Sequence, residues 1–187
     1  MRNMIKGLMT LALALAALPL LAAPASHESA QVWQYPVIQH AGGVIPQPKA
    51  ALQPEALETY KAVFNLTKTG KADEVNRGLE HVARAVNVFA ISGVRATHRK
   101  FDVVIHGAAT DIVMKNAEYK KRTGHDNPNI KLLRALRQAG VKIYVCDQAL
   151  AEHHIAHEDV NPDVTLSLSA LSDLIILQQK GYVLYPL

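Results

Sequence analysis

Apolar strand-like runs alternate with helical segments from Tyr60 to the end of the chain, and this alternation restricts the folds open to it. The runs are continuous rather than alternating in polarity, as in Val103-Val104-Ile105. Strands that alternate with helices form parallel sheets, and continuous apolar strands are typical of sheets buried on both faces. The pattern therefore predicts an α/β fold: a layered sandwich with a mostly parallel five-stranded sheet and helices on both faces.

Turn and capping residues set the predicted limits of these elements. The strands are expected over residues 61–67, 101–106, 141–146, 164–168 and 182–185. Asp73 is the expected N-cap of the first helix, whose apolar residues recur at three- and four-residue spacings: Val75, Leu79, Val82, Val86 and Phe89. Further helices are expected over residues 110–119, 127–140, 148–153 and 169–181.

The first 25 residues have the order of a secretory signal peptide. Arg2 and Lys6 precede an uncharged apolar run over residues 8–21, and Ala23-Pro24-Ala25 fits a cleavage site. We expect cleavage after Ala25, a periplasmic location and no stable membrane insertion of the mature chain. The alternative is a retained N-terminal anchor, for which the apolar run is short.

Residues 26–58 are predicted to form an extended arm, followed by one α/β domain over residues 59–187. Several prolines and a Gly-Gly pair interrupt any regular element in the arm. Trp33 and Tyr35 favour an arm that docks on the domain or on a neighbouring subunit, because large apolar groups gain by burial. A flexible leader is the alternative.

Composition argues against several kinds of partner. Cleavage would remove Arg2 and Lys6 and lower the formal charge from +4 to +2. With this small charge and only 5% aromatic residues, we expect no nucleic-acid binding. The sequence has no G-x-G-x-x-G, no Walker-type loop and no C-x-x-C, so no cofactor is predicted.

The single cysteine, Cys146, ends the third predicted strand. In an oxidising compartment it cannot form an internal disulfide, so it is buried, bonded to another chain or kept as a working thiol. Backbone N–H groups at the start of the following helix favour a reactive thiolate, whereas the adjacent Asp147 carboxylate disfavours a second negative charge. An inert buried cysteine is the alternative.

Ligands meet the carboxyl ends of the strands in an open parallel sheet. Cys146 is the candidate catalytic residue at this edge. If the first strand lay between the second and the third, Cys146 and His106 would be two strand spacings apart, about 10 Å. The residues expected to line a pocket there are Thr67, His106, Gly107, Asp147 and Gln148. A capping or core histidine is the simpler interpretation of His106.

Two further histidines, His153 and His157, would share one face of a helix at the spacing of a metal-binding pair. The glutamate of an H-E-x-x-H site is missing. A solvated helix end is the simpler interpretation, and no metal site is predicted.

The segment Val145-Cys146-Asp147-Gln148-Ala149-Leu150 resembles the DsrE/DsrF-like family of small sulfur-relay proteins, and its exported branch most closely. Matching segments occur at residues 60–66, 104–110, 127–129 and 169–171. The resemblance implies a flavodoxin-like layered fold and assembly into homo- or hetero-oligomers. In sulfur-relay members a cysteine carries a persulfide between proteins. Asp147 stands where the exported branch has glycine in V-C-G-Q.

Together these features predict a periplasmic sulfur-relay or thiol-redox protein that carries or accepts sulfur on Cys146. A sulfur donor or acceptor protein would be its partner. The alternative is a non-catalytic oligomeric binding or assembly module in which Cys146 is a buried structural residue.

Overall fold

The structure is a computed structural model that describes residues 32–187, so the signal peptide predicted over residues 1–25 lies outside the described residues. The strands are Tyr60–Leu66 (β1), Arg99–Ile105 (β2), Lys142–Cys146 (β3), Thr165–Ser167 (β4) and Val183–Pro186 (β5). All neighbouring strands are parallel, in the order β4-β3-β2-β1-β5. The sheet confirms the predicted α/β class.

Five α-helices connect the strands. They are Arg77–Ile91 (α1), Asn116–Thr123 (α2), Ile130–Gln138 (α3), Asp147–Glu152 (α4) and Ala170–Gln179 (α5). Short 3-10 helices cover Ala96–His98, Gly107–Val113 and His157–Asp159. No helix within residues 32–187 has the length and apolar character needed to cross a membrane.

The two faces of the sheet carry separate apolar layers. On one face, here called the α1 face, Phe64, Val103 and Ile143 pack with Leu79 of α1 and Leu133 of α3. The opposite face, here called the α5 face, is covered by α5; its buried members are Val63, Val104, Cys146, Ala149, Ala170 and Leu177. Helices therefore lie on both faces, as predicted.

The order of the central strands differs from the expectation. The arrangement with β1 between the second and third strands is wrong, because β2 lies between β1 and β3. Each of the first three strand–helix–strand connections leads to the adjacent strand in the same direction across the sheet, and β5 returns to the free side of β1. Because crossovers are right-handed, a connection that runs the opposite way across the sheet has its helix on the opposite face. The last connection does so, and α5 therefore lies on the face opposite α1 and α3.

Two predicted helix limits are also wrong. Asn76, not Asp73, caps α1: its side chain accepts a hydrogen bond from the backbone N–H of Gly78 at 2.8 Å. The helix expected over residues 110–119 is instead a 3-10 helix followed by α2. Asn127 interrupts the expected helix. Its Nδ2 donates to the carbonyl oxygens of Ile112 at 2.9 Å and Met114 at 2.7 Å, which a continuous helix would use for its own hydrogen bonds.

The described part of the predicted arm, residues 32–58, packs on α1. Ile38 belongs to the core of the α1 face and Val44 is also buried, whereas Trp33 is 54% exposed and Tyr35 is 36% exposed. Gly42 approaches the backbone of α1 so closely that a Cβ atom there would lie 2.1 Å from the backbone nitrogen of Arg84. The segment therefore packs on α1 through small and aliphatic residues rather than through Trp33 and Tyr35.

Candidate functional site

The carboxyl ends of β2 and β3 bring His106 and Cys146 onto neighbouring strands. Ile105 and Val145 are paired in the sheet, and His106 and Cys146 directly follow them. Their backbones are therefore one strand spacing apart, about 5 Å, rather than the two spacings expected from the sequence. The two residues lie at one edge of the sheet, as predicted, and their backbones are closer together than expected.

Side-chain alternation places three polar groups on the α5 face of this edge. Val63 and Val104 pack on that face together with Cys146. Asn65 and His106 each lie two residues further along their strands, so their side chains project from the same face. Asn65 was not predicted from the sequence. Its position two residues after Val63 could have placed it on the same face of the strand.

The thiol itself is enclosed. Cys146 is 5% exposed and packs with Ala149, Ala170 and Leu177. Ala170 is the first residue of α5, so the beginning of that helix covers the sulfur. Two of the covering residues, Ala149 and Ala170, have small side chains.

His106 is held as a neutral imidazole. Its Nε2 lies 2.7 Å from Oδ1 of Asn65, and burial lowers the pKa of His106 below the ordinary value of 6.5. An amide oxygen can only accept a hydrogen bond, so Nε2 carries the proton and Nδ1 keeps a free lone pair. The imidazole can therefore take up a proton through Nδ1.

Thr67 and Gly107 follow β1 and β2 at the same edge of the sheet. The Thr67 hydroxyl donates to the carbonyl oxygen of Leu187 at 3.5 Å, a long contact. Gly107 begins a 3-10 helix with φ +57°, a left-handed conformation that favours glycine. These predicted pocket residues stand at the same edge as His106, on the β1 and β2 side of it.

Asp147 and Gln148 begin α4 but turn away from the thiol. Oδ1 of Asp147 is 2.6 Å from Nε2 of His157, and Nε2 of Gln148 donates to the carbonyl oxygen of Leu168 at 3.4 Å. The Asp147 carboxylate is therefore engaged by an imidazole. The helix α4 has six residues, the same length as the helix expected over residues 148–153, and it begins directly after Cys146.

Ser167 and Asp173 complete the edge on the β4 side. Ser167 is the sheet partner of Cys146, and its hydroxyl hydrogen-bonds to Oδ2 of Asp173 in α5. This contact ties the first turns of α5 to the sheet beside the thiol. Sequence analysis missed both residues, because their proximity depends on the path of α5 across the sheet.

The histidine pair does not share a helix face, so that expectation is wrong. The helix α4 ends at Glu152; His153 caps it and contacts Oδ1 of Asp111 at 2.8 Å, while His157 lies in a 3-10 helix and contacts Asp147. Across residues 32–187, no group of three or more histidine, cysteine or acidic side chains is arranged to hold a metal ion.

Comparisons with known proteins agree with this architecture. A family model described as the DsrE/DsrF-like family matches residues 61–186. The chain is similar in structure to MTH1491, a protein of unknown function from Methanobacterium thermoautotrophicum, with a TM-score of 0.52 and 17% sequence identity. That similarity covers 68% of this chain and 99% of that chain, and it shows a shared fold alone. A search of curated proteins gave no match.

Proposed function

Because this chain belongs to the DsrE/DsrF-like family, which is associated with sulfur relay, we propose that it carries or accepts sulfur on Cys146. One observation carries the proposal: the lone thiol ends β3 on the strand next to His106, on the face where that neutral imidazole projects. A thiol and a proton acceptor at one edge of a sheet are the groups that a thiol-based transfer requires.

The proposed step is a transfer of sulfur from a donor persulfide, R–S–SH. The Cys146 thiol gives up its proton, which we assign to Nδ1 of His106, and the thiolate attacks the outer sulfur of the donor. A bond forms between Sγ and that sulfur while the donor S–S bond breaks, and its electron pair leaves with the donor sulfur. The donor thiolate then takes up the proton, so no external oxidant or reductant is needed.

Transfer requires the beginning of α5 to move away from the thiol. Ser169 caps α5 by accepting a hydrogen bond from the N–H of Leu171 at 3.3 Å, and the contact between Ser167 and Asp173 holds the next turn. The rest of α5 stays packed on the sheet through Leu174 and Leu177, so the proposed movement involves only its first turns. A donor protein that loosens this turn would expose Cys146 without unfolding the sheet.

The outer surface of α5 supports the proposal that the protein works as a homo- or hetero-oligomer. Large apolar side chains are exposed along α5 and just before it: Leu168, Leu171, Ile175 and Ile176. Contiguous exposed apolar surface marks interaction sites. A subunit or a sulfur donor bound there would touch the same helix that covers Cys146.

The place of action that we propose is the periplasm, and the branch of the family that we propose is the exported one. The support is the order of charged, apolar and small residues over residues 1–25.

The second candidate function is a non-catalytic assembly module. The observation that favours it is the 5% exposure of Cys146 among apolar neighbours. In that case the thiol is part of the core and the exposed side of α5 is the functional surface.

Alkylation of Cys146 in increasing urea distinguishes the two candidates. If the beginning of α5 opens locally, the rate of alkylation below the unfolding transition is nearly independent of urea, because little surface is exposed in the opening. If Cys146 is a fixed core residue, the rate follows global unfolding and rises with the full urea dependence of the unfolding equilibrium. The variant Ser169→Ala, which removes the cap of α5, accelerates alkylation in the first case by more than its loss of global stability accounts for; in the second case the acceleration equals that loss.

A further inference from the structure

We infer that the cleft between α1 and β5 binds a small amphipathic anion, a molecule with an apolar body and one carboxylate-like end. The cleft is on the α1 face, whereas Cys146 is on the α5 face, so this ligand site is separate from the proposed sulfur chemistry and does not rest on it. The inference goes beyond the proposed function.

The cleft exists because the helices of the α1 face stop short of the sheet edge. The helix α1 packs on β1 and β2, and β5 lies beyond β1 at the edge. Tyr185 of β5 faces the same side as Phe64, since their ring centroids are 5.6 Å apart. The resulting cleft has a volume of about 920 Å³, within the usual range for small-molecule sites.

Aromatic rings form its floor. The Phe89 ring packs edge-on against Tyr60 at 4.8 Å and against Phe101 at 5.2 Å, and Phe64 packs edge-on against Phe101 at 5.7 Å. Rings that support one another in this way form a preorganised apolar surface. An alkyl chain or an aromatic ring of a ligand would find a rigid floor there.

The rim is basic. His81, Arg84, Ala85 and Val88 are spaced along α1 so that they line one side of the cleft. No acidic side chain lines the cleft, and Arg84 has no carboxylate within salt-bridge distance in the described chain, residues 32–187. Charge complementarity therefore calls for an anionic group at this end of the ligand.

Trp33 of the docked N-terminal segment orients the arginine. The Arg84 guanidinium carbon is 5.8 Å from the centre of the Trp33 ring, which places the cation over the ring face. This stacking leaves the N–H groups at the guanidinium edge for a carboxylate. The apolar floor and the oriented cation together define the chemical class of the ligand.

Titration with octanoate and with its neutral analogue octan-1-ol tests the inference. We expect saturable one-to-one binding of octanoate by calorimetry, weaker binding of octan-1-ol, and NMR shifts at Val88, Phe89 and Val183. Arg84→Gln should weaken octanoate binding about fivefold while leaving octan-1-ol binding unchanged. The control Arg95→Gln, an exposed arginine outside the cleft, should leave both unchanged.

A second variant keeps the test informative if Arg84→Gln fails to fold. Val88→Glu places an acid on the cleft wall at a position that is 37% exposed, so the fold should be retained while octanoate binding is lost. Absence of saturable binding, equal effects of the Arg84 and Arg95 variants, or shifts confined to α5 would overturn the inference. Protein-concentration-dependent broadening at the cleft residues without ligand would also overturn it, because a second copy of the chain would then occupy the cleft.

Discussion

Asn87, in the middle of α1, binds the backbone of Ile38 through both ends of its side-chain amide. The N–H of Ile38 donates to Oδ1 at 2.9 Å, and Nδ2 donates to the carbonyl oxygen of Ile38 at 3.2 Å. The same Nδ2 also contacts the carbonyl oxygens of Ala41 at 3.1 Å and Gly42 at 3.0 Å. A fully buried side chain of α1 therefore anchors the segment before β1.

Replacing Asn87 should therefore destabilise the fold. Asn87→Ala leaves buried backbone groups of the N-terminal segment without partners, and we expect the free energy of unfolding to fall by about 2–3 kcal/mol. Urea denaturation followed by circular dichroism measures the change. Gln138→Ala, at an exposed helix end, is the control and should change stability by less than about 0.5 kcal/mol. Equal effects of the two variants would contradict the role assigned to Asn87.

Gly42→Ala should release the same segment by a different route. Gly42 has φ +58°, and a Cβ atom there would overlap the backbone of α1 at Arg84. We expect the fluorescence of Trp33, the single tryptophan, to shift to longer wavelength, and proteolysis within residues 32–58 to become faster. Gly70→Ala is the matched control, because no atom lies within 4 Å of its added Cβ. An unchanged Trp33 spectrum in Gly42→Ala would contradict the close approach.

Asn65→Leu should change the protonation pattern of His106. The variant removes the oxygen that holds the Nε2 proton, so the fraction of imidazole with the proton on Nδ1 should rise. Long-range 15N–1H NMR spectra report this fraction directly. We also expect stability to fall by about 1 kcal/mol through loss of the hydrogen bond. Spectra that match those of the unaltered protein would show that Asn65 does not set the tautomer.

Asp102 should make stability depend on pH. Burial raises the pKa of Asp102 to about 6, although the charges of Lys142 and Lys180 lower it in part. The ordinary value is 3.8, so between these values the folded chain binds more protons than the unfolded chain, and stability falls as the pH rises through this window. The expected loss is on the order of 3 kcal/mol and is complete about one pH unit above the folded pKa.

Comparison of Asp102→Asn with the unaltered protein measures this effect. Urea unfolding at several pH values between 4 and 8 should show the variant gaining in relative stability up to about pH 7 and then reaching a plateau. Asp73→Asn, at an exposed position, should show no such trend. A relative stability of the Asp102 variant that decreases with rising pH would contradict the sign of the effect.

The local pattern of the sequence was sufficient to predict the sheet. Continuous apolar runs such as Val103-Val104-Ile105 identify buried strands without any knowledge of the tertiary structure. The expected helix over residues 169–181 begins within one residue of α5, because a serine followed by a helical apolar pattern is a local signal. The position of Cys146 at the end of β3 followed from the same local reasoning.

Non-local features could not be predicted in this way. The order of the strands depends on how each crossover packs, so the separation of His106 from Cys146 was overestimated. Asn87 occupies a position that looks like an ordinary helical residue, and its partners lie more than 40 residues away. The burial of the thiol under Ala170 likewise depends on the path of α5.

We propose that Cys146 accepts sulfur while the protein is folded. Intact-protein and peptide mass spectrometry after brief treatment with polysulfide under native conditions tests it directly. We expect a mass increase of one sulfur atom on Cys146, removable by a reducing thiol and absent from Cys146→Ser. A Cys146 that gains no sulfur, and that reacts with thiol reagents only once the chain unfolds, would contradict it.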